Sequence, residues 1–226
     1  MSPVVGAVVV AAGRSTRFGK DKLFLPLAGV PVLAWALGAF EECPAVDVVA
    51  LVLSADSLDA GRRLVAEHGL AKVHHFCLGG LRRQDSVLAG LEALGGCEWV
   101  AIHDGARPLV TPDLVSRGVA AARATGAAIP GVPLKDTIKL VGPDDLVAAT
   151  PERACLRAIQ TPQVFGYRLI LDAYRQVQGE VTDDAALLEA LGHPVKVYPG
   201  SYDNIKITTA EDLDVAEALL RRRGVN

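Results

Sequence analysis

The sequence predicts an α/β fold built on a mainly parallel, doubly wound sheet. Three observations carry that prediction. Apolar runs alternate with helix-like segments from residue 4 to about residue 134, the pattern of repeated βα units. The first run, Val4–Ala12, is continuous and rich in β-branched residues, as a strand covered on both faces requires. Half of the 226 residues are hydrophobic, enough for one large core. The expectation is therefore a single domain over residues 1–226.

The elements follow in order. After the first strand, Pro31 starts a helix that runs through Glu42. Val46–Ser54 is the second strand, and a helix covers about Ser57 to His68. Val73–Leu78 is a strand, Gln84–Leu94 a helix, and Trp99–His103 a strand that ends in Asp104. Thr111-Pro112-Asp113 is a strong helix start: a capping hydroxyl, proline at the first position and an early acid. That helix runs to about Ala124, and Ala127–Leu134 is the next strand. The pattern then breaks. Pieces around Gly142-Pro143-Asp144-Asp145 resemble a hairpin, so residues from about 134 to 155 are expected as an arm inserted in the domain. Leu156–Gln160 rejoins the sheet, helices cover about Tyr167–Gln176 and Asp184–Leu191, and Val195–Tyr198 and Ile205–Ile207 are short strands. The last helix starts at a Thr209 cap with Glu211 and Asp212 and ends in Arg221–Arg223 before Gly224. Those charges match the helix dipole at both ends, so the arginine run is structural.

Composition removes several function classes. The formal net charge of −3 provides no basic footprint for duplex nucleic acid, and aromatic residues are too few for a base-stacking platform. Val4–Ala12 is too short to span a bilayer, and the start lacks a basic n-region, so no membrane or export segment is expected. Cys43, Cys77, Cys97 and Cys155 form no C-x-x-C pair; they read as reduced core thiols in a cytoplasmic protein.

In an open parallel sheet, ligands bind where the strands end. Three segments stand at those ends. Ala11-Ala12-Gly13 leads into a loop dense in cations, including Arg17 and Lys22. Small residues let backbone N–H groups approach a polyphosphate, and the cations neutralise its charge. The alternative is a solvated basic loop, and neither the Walker nor the G-x-G-x-x-G pattern is present. Gly79-Gly80 and Ser86 flank a helix start and suit either a nucleoside or an ordinary cap. His103-Asp104-Gly105-Ala106-Arg107-Pro108 offers a carboxylate for a nucleotide-borne Mg²⁺, or an Asp turn. Arg107 there either grips an anion or pairs with Asp104. Strand parity turns His103 away from Asp104, into the core or behind the site's own residues. His74-His75 has no metal spacing. No covalent catalyst stands out, and cations, backbone donors and one or two acids suit phosphoryl or nucleotidyl transfer.

These segments occur together in the order Ala11-Ala12-Gly13 with Arg17 and Lys22, Gly79-Gly80 before Arg83 and Asp85-Ser86-Val87, and Asp104-Gly105-Ala106-Arg107-Pro108. Asp136-Thr137-Ile138-Lys139, Thr161-Pro162-Gln163, Thr182-Asp183-Asp184 and Asp203-Asn204-Ile205-Lys206 then follow. Over nearly its whole length the chain resembles the 2-C-methyl-D-erythritol 4-phosphate cytidylyltransferases of the non-mevalonate isoprenoid pathway. The resemblance implies a Rossmann-like fold of the nucleotide-diphospho-sugar transferase type, a protruding β-hairpin arm and a homodimer. It implies transfer of CMP from CTP to the polyol phosphate, with Mg²⁺ as cofactor. Arg17 and Lys22 would stabilise the α-phosphoryl centre, and Asp104 would bind the metal. Ala11, Ala12, Gly13, Gly80 and Ser86 would hold the nucleoside. Arg107, Thr161, Thr182 and Lys206 would line the acceptor side, with Thr137 and Arg153 reaching over from a second subunit. Two departures stand out. Leu81 replaces a polar residue after the glycine pair, and Asp21-Lys22-Leu23 surrounds the lysine, which is chosen over Lys20 by the Phe24-Leu25-Pro26-Leu27 that follows. A ribitol 5-phosphate or other polyol-phosphate cytidylyltransferase would share the nucleotide half. A nucleotide-binding regulatory module without turnover and a sugar-1-phosphate nucleotidyltransferase are the remoter alternatives.

Overall fold

A computed structural model describes residues 4–13, 22–177 and 179–225. Arg17 and Lys20 lie outside the described residues. The elements in chain order are β1 (Val5–Ala11), β2 (Pro26–Leu27), β3 (Val30–Pro31), α1 (Val32–Glu41), β4 (Val48–Leu53), α2 (Leu58–Glu67) and β5 (Val73–Leu78). Next come α3 (Arg83–Ala93), β6 (Trp99–Asp104), α4 (Pro112–Thr125), β7 (Ala127–Pro133), β8 (Leu140–Val141), β9 (Val147–Ala149) and β10 (Arg157–Ile159). The chain closes with β11 (Gln163–Gly166), α5 (Tyr167–Gln176), α6 (Ala185–Ala190), β12 (Lys196–Pro199) and α7 (Ala210–Arg222).

The main sheet runs β10-β7-β11-β6-β1-β4-β5, with β12 also on β7. The β6-β1-β4-β5 half is parallel throughout. β11 pairs antiparallel to both β6 and β7, so β7 again runs with the parallel half, and β12 runs with β7. β10 is antiparallel on β7. The sheet is thus mixed but mostly parallel.

Both faces are covered, as the continuous apolar first run requires. Val5, Ala7 and Val9 of β1 face a layer formed by α1, α2, α4 and α7; Val8 faces a second layer formed by α3, α5 and α6. Successive side chains of a strand point to opposite faces, so a strand buried on both sides must be apolar at every position.

Helix starts follow the sequence signals. The Thr111 hydroxyl accepts from Leu114 N at 3.2 Å, with Pro112 in the first turn, and Gly126 closes α4 at a φ of 87°. Thr209 and Asp212 form a reciprocal cap on α7. At its other end Arg222 and Arg223 both bond Asp203, so the arginine run is structural. β8 and β9 pair antiparallel around Gly142–Asp145, the expected hairpin.

Three expectations need correction. Ile205–Ile207 is not a strand; the Ile207 N–H donates to Ala106 O at 2.8 Å, so its backbone braces a turn and joins no ladder. β11 does not appear in the sequence reading, because a four-residue segment behind Pro162 carries no strand period of its own. The cysteines are all free, but only Cys43 is buried; Cys77 and Cys97 are half-buried and Cys155 is exposed. Cys155 sits in the short turn Arg153–Cys155 that leads back from the arm, where no residue is buried. No described helix is long and apolar enough to cross a membrane.

Candidate active site

The parallel registers bring the ends of neighbouring strands level. Val10 lies opposite Asp104, Ala11 opposite Leu53, and Leu53 opposite Leu78. The turns that follow β1, β5 and β6 therefore meet at one edge. Their small residues are needed there. A Cβ on Gly79 would sit 2.2 Å from Ala12 Cβ, and one on Gly105 would sit 3.2 Å from Val10 O. Gly79 N donates to Leu53 O at 2.8 Å and Gly105 N to Val10 O at 2.9 Å, so both turns stay fastened to the sheet. Gly80 N donates to Ser86 Oγ at 3.2 Å, and Leu81 behind it is fully exposed. Lys22 opens a short turn, Lys22–Phe24, held by the buried Leu23. The following β2–β3 turn is pinned by the Trp35 indole, which donates to Leu27 O at 2.8 Å.

Asp104 ends β6 at the centre of a charged cluster. Its Oδ1 accepts from Arg83 Nε at 3.2 Å and its Oδ2 from Lys206 Nζ at 2.8 Å. Burial opposes ionisation of Asp104, but Arg83 and then Lys206 outweigh it and hold the carboxyl well below the usual range. Arg83 is itself clamped from behind: its two terminal nitrogens donate to the two oxygens of Asp184, each at 2.8 Å. Asp184 is fully buried and also accepts from the Tyr174 hydroxyl. Burial works against the Arg83 charge, while Asp184 and Asp104 more than restore it and raise its pKa. The same burial, with Asp184 alongside, raises the Tyr174 pKa.

A second set of contacts closes into a ring. Thr161 Oγ1 lies 3.0 Å from His103 Nδ1, and His103 Nε2 lies 3.3 Å from Arg107 O. Arg107 Nη1 donates to Asn204 O at 2.8 Å, and Asn204 Nδ2 donates back to Thr161 O at 2.8 Å. Two buried atoms of this ring, Arg107 Nε and Asn204 Oδ1, have no partner among the described residues. Burial pushes the His103 pKa down to about 4, so its imidazole is neutral at ordinary pH. Burial also lowers the Arg107 pKa.

Asp104, Arg107, Thr161 and Lys206 are thus brought together, as are Ala12, Gly80 and Ser86 around the Gly79 turn. Arg107 does not pair with Asp104: it hydrogen-bonds the Asn204 carbonyl, and Lys206 with Arg83 takes Asp104. His103 lies in the core as strand parity requires. Thr137 and Arg153 lie exposed on the arm, where Arg153 Nη1 donates to Lys135 O at 2.8 Å. Thr182 is exposed just before Asp184. The residues missed by the sequence reading are Arg83, Asp184 and Tyr174 as a clamp, and Asn204 as a closing link. Arg83 beside the glycine pair is visible in the sequence, but its partner 101 positions away is not. Among the described residues no group of three or more His, Cys, Asp or Glu could hold a metal ion.

The one buried imidazole is tied on both nitrogens. The cations and backbone donors gathered at this edge suit holding and neutralising anions, the mode of nucleotidyl-transferring enzymes. That is the class the fold and the edge define.

Comparison with known proteins narrows it. The sequence model of 2-C-methyl-D-erythritol 4-phosphate cytidylyltransferase matches residues 5–222. The chain is 51% identical over 219 residues to a curated protein of that name from Dehalococcoides mccartyi, covering 96% of each chain. It is 45% identical to one from Alkaliphilus oremlandii, covering 96% of this chain and 94% of that one. Among solved structures it superposes with a TM-score of 0.88 on a 4-diphosphocytidyl-2C-methyl-D-erythritol synthase from Anaerococcus prevotii, at 32% identity and 97% coverage of both chains. A second, from Thermus thermophilus, superposes at 0.78 with 35% identity, covering 95% of this chain and 98% of that one. The chain belongs to the 2-C-methyl-D-erythritol 4-phosphate cytidylyltransferase family. Its activity is transfer of CMP from CTP to that polyol phosphate in isoprenoid precursor synthesis, and the ribitol 5-phosphate alternative is not favoured.

Proposed function

We propose that the transfer is carried out at the edge where Asp104 ends β6, with the following division of roles. The backbone of Ala11, Ala12 and Gly13 and the Gly80–Ser86 turn hold the nucleoside and its phosphates. An oxygen of the acceptor phosphate attacks the CTP α-phosphorus in line. The new P–O bond forms as the bond to the β-phosphate oxygen breaks, and pyrophosphate leaves with that electron pair. Arg17 and Lys22 neutralise the charge gathered at the crowded α-phosphorus. Arg107, Lys206 and Thr182 form the acceptor side, with Thr161 behind them.

Mg²⁺ is part of this proposal. A nucleotide-borne Mg²⁺ needs only one or two carboxylates besides phosphate oxygens and water. Asp104 fits: it is ionised, and each oxygen accepts one cationic N–H and keeps lone pairs for more. When bound, the ion neutralises phosphate charge. Thr137 and Arg153 come from a second copy, and the protein works as a cytoplasmic homodimer.

The observation that carries these roles is the ionised Asp104, held between Arg83 and Lys206 at the meeting point of three turns. Steady-state pyrophosphate release tests it. Asp104→Asn should cost roughly 100-fold in kcat/KM, the scale of one preorganised electrostatic group, and should raise the Mg²⁺ needed for half-maximal rate. Full activity in that variant would reduce Asp104 to a turn residue.

A further inference from the structure

His103 has no role in the scheme above, yet it is fully buried and both ring nitrogens are spoken for. Their partners fix the tautomer. Nε2 faces only a carbonyl oxygen, that of Arg107, so Nε2 must carry the hydrogen and donate. Nδ1 is then an acceptor, and the Thr161 hydroxyl donates to it at 3.0 Å. The Thr161 oxygen accepts in turn from the Asp104 N–H at 3.1 Å. The hydrogen bonds run in one direction, from Asp104 N–H through Thr161 and His103 to the Arg107 carbonyl. Arg107 N donates back to Asp104 O at 3.0 Å and closes the turn.

We propose that His103 is a positioning residue that sets the spacing of Asp104 and Arg107, one ring nitrogen serving each. Nδ1, through Thr161, fixes the backbone of the residue assigned to the metal and nucleotide. Nε2 fixes the backbone of the residue assigned to the acceptor anion. The two substrates are thereby held in one register from beneath the turn. Arg107 gives this a consequence. Its carbonyl is tied to His103 and its Nη1 to Asn204, so its guanidinium has little freedom, and its buried Nε has no partner among the described residues. A ring that merely filled space against Phe40, whose centroid lies 5.2 Å away, would need neither nitrogen.

The inference rests on the assignment of Asp104 to the nucleotide side and Arg107 to the acceptor side, and the test separates the two ideas. The measurements are kcat, KM for CTP, KM for methylerythritol phosphate, and the Mg²⁺ concentration for half-maximal rate. Asp104→Asn and Arg107→Ala serve as references for the two sides. Asparagine keeps a polar atom at the level of Nδ1 but does not reach the Arg107 carbonyl. His103→Asn should therefore raise the acceptor KM on the order of tenfold, with CTP and Mg²⁺ dependence little changed. Glutamine keeps a donor at the level of Nε2 but abandons Thr161. His103→Gln should lower kcat on the order of tenfold and raise the Mg²⁺ requirement, with a small change in acceptor KM. Thr161→Val should repeat the glutamine profile, and Thr161→Ser should recover from it. If the references separate the two sides but both His103 variants give one common profile, His103 is a filler and the proposal fails alone. If the references do not separate the sides, the role assignment fails and the proposal falls with it. Should the His103 variants not fold, the Thr161 pair decides. A valine defect in kcat and Mg²⁺ rescued by serine supports the chain of bonds; an unaffected valine variant, or one altered only in acceptor KM, overturns it.

Discussion

In the proposed site a single carboxylate, Asp104, is held ionised while nearly buried. Asp104 achieves this with Arg83 on one oxygen and Lys206 on the other. Arg83 can serve because Asp184 holds it in a fork, and Asp184 is tolerated in the core because Arg83 and Tyr174 satisfy it. Removing one member leaves the others exposed to burial. Asp184→Ala should destabilise the protein by about 3–5 kcal/mol in denaturant unfolding, the usual result of orphaning a buried charge. Asp184→Asn keeps the shape but frees Arg83, and should lower kcat even where the variant is folded. Wild-type stability and turnover in both variants would remove the clamp from the account. Part of this was legible from residues. Strand parity turned His103 inward and left Asp104 at the end of its strand, and that is where both lie. Arg83, Asp184 and Tyr174 were not legible as a group, because an ion pair spanning 101 positions leaves no local pattern.

At the level of elements, helices and inner strands announced themselves through caps and apolar runs, and the structure keeps nearly all of them. What escaped were segments whose form is imposed from outside. β11 is a strand only because β6 and β7 flank it, and Ile205–Ile207 fails to become one because Ala106 O takes its N–H. The turns gain their geometry in the same way. Gly79 is small because Ala12 on the neighbouring turn leaves no room for a methyl group. Gly79→Ala should push the two turns apart and lower kcat/KM for CTP by roughly tenfold or more, since small misplacements of reacting groups are costly. An unchanged value would show that the turns adjust freely. The carboxyl end of α7 makes a pH-dependent contribution. Arg222, then Arg223, hold the Asp203 carboxyl below its ordinary range. Such a group stabilises the fold above pH about 4, and that stabilisation is lost as pH falls through the lowered folded value. Asp203 is only partly buried and Arg222 is largely exposed, so Asp203→Asn should flatten the acid limb of the stability curve by less than ~1 kcal/mol, read from denaturant midpoints between pH 2 and 6. A limb of unchanged slope would assign no role to these arginines.

For the whole molecule, composition and alternation sufficed to give the α/β class and a doubly covered sheet. The arm follows a different logic. β8 and β9 form a two-stranded ribbon on which Leu140, Val141, Leu146 and Val147 are each more than half exposed. An isolated hairpin is marginal in water, and an apolar one invites cover. In the proposed dimer a second copy of the chain would supply that cover, with Arg153 and Thr137 reaching the neighbour's acceptor side. The most direct test of this central claim, a site built from two chains, is complementation. Lys22→Ala and Arg153→Ala are each prepared as nearly inactive protein, dissociated and reassociated together. Random pairing makes about half of the dimers mixed, and in each mixed dimer one site holds both wild-type residues, so about a quarter of wild-type activity should return. If Arg153 serves its own chain, every site keeps one defect, and subunit exchange without any recovered activity would contradict the account.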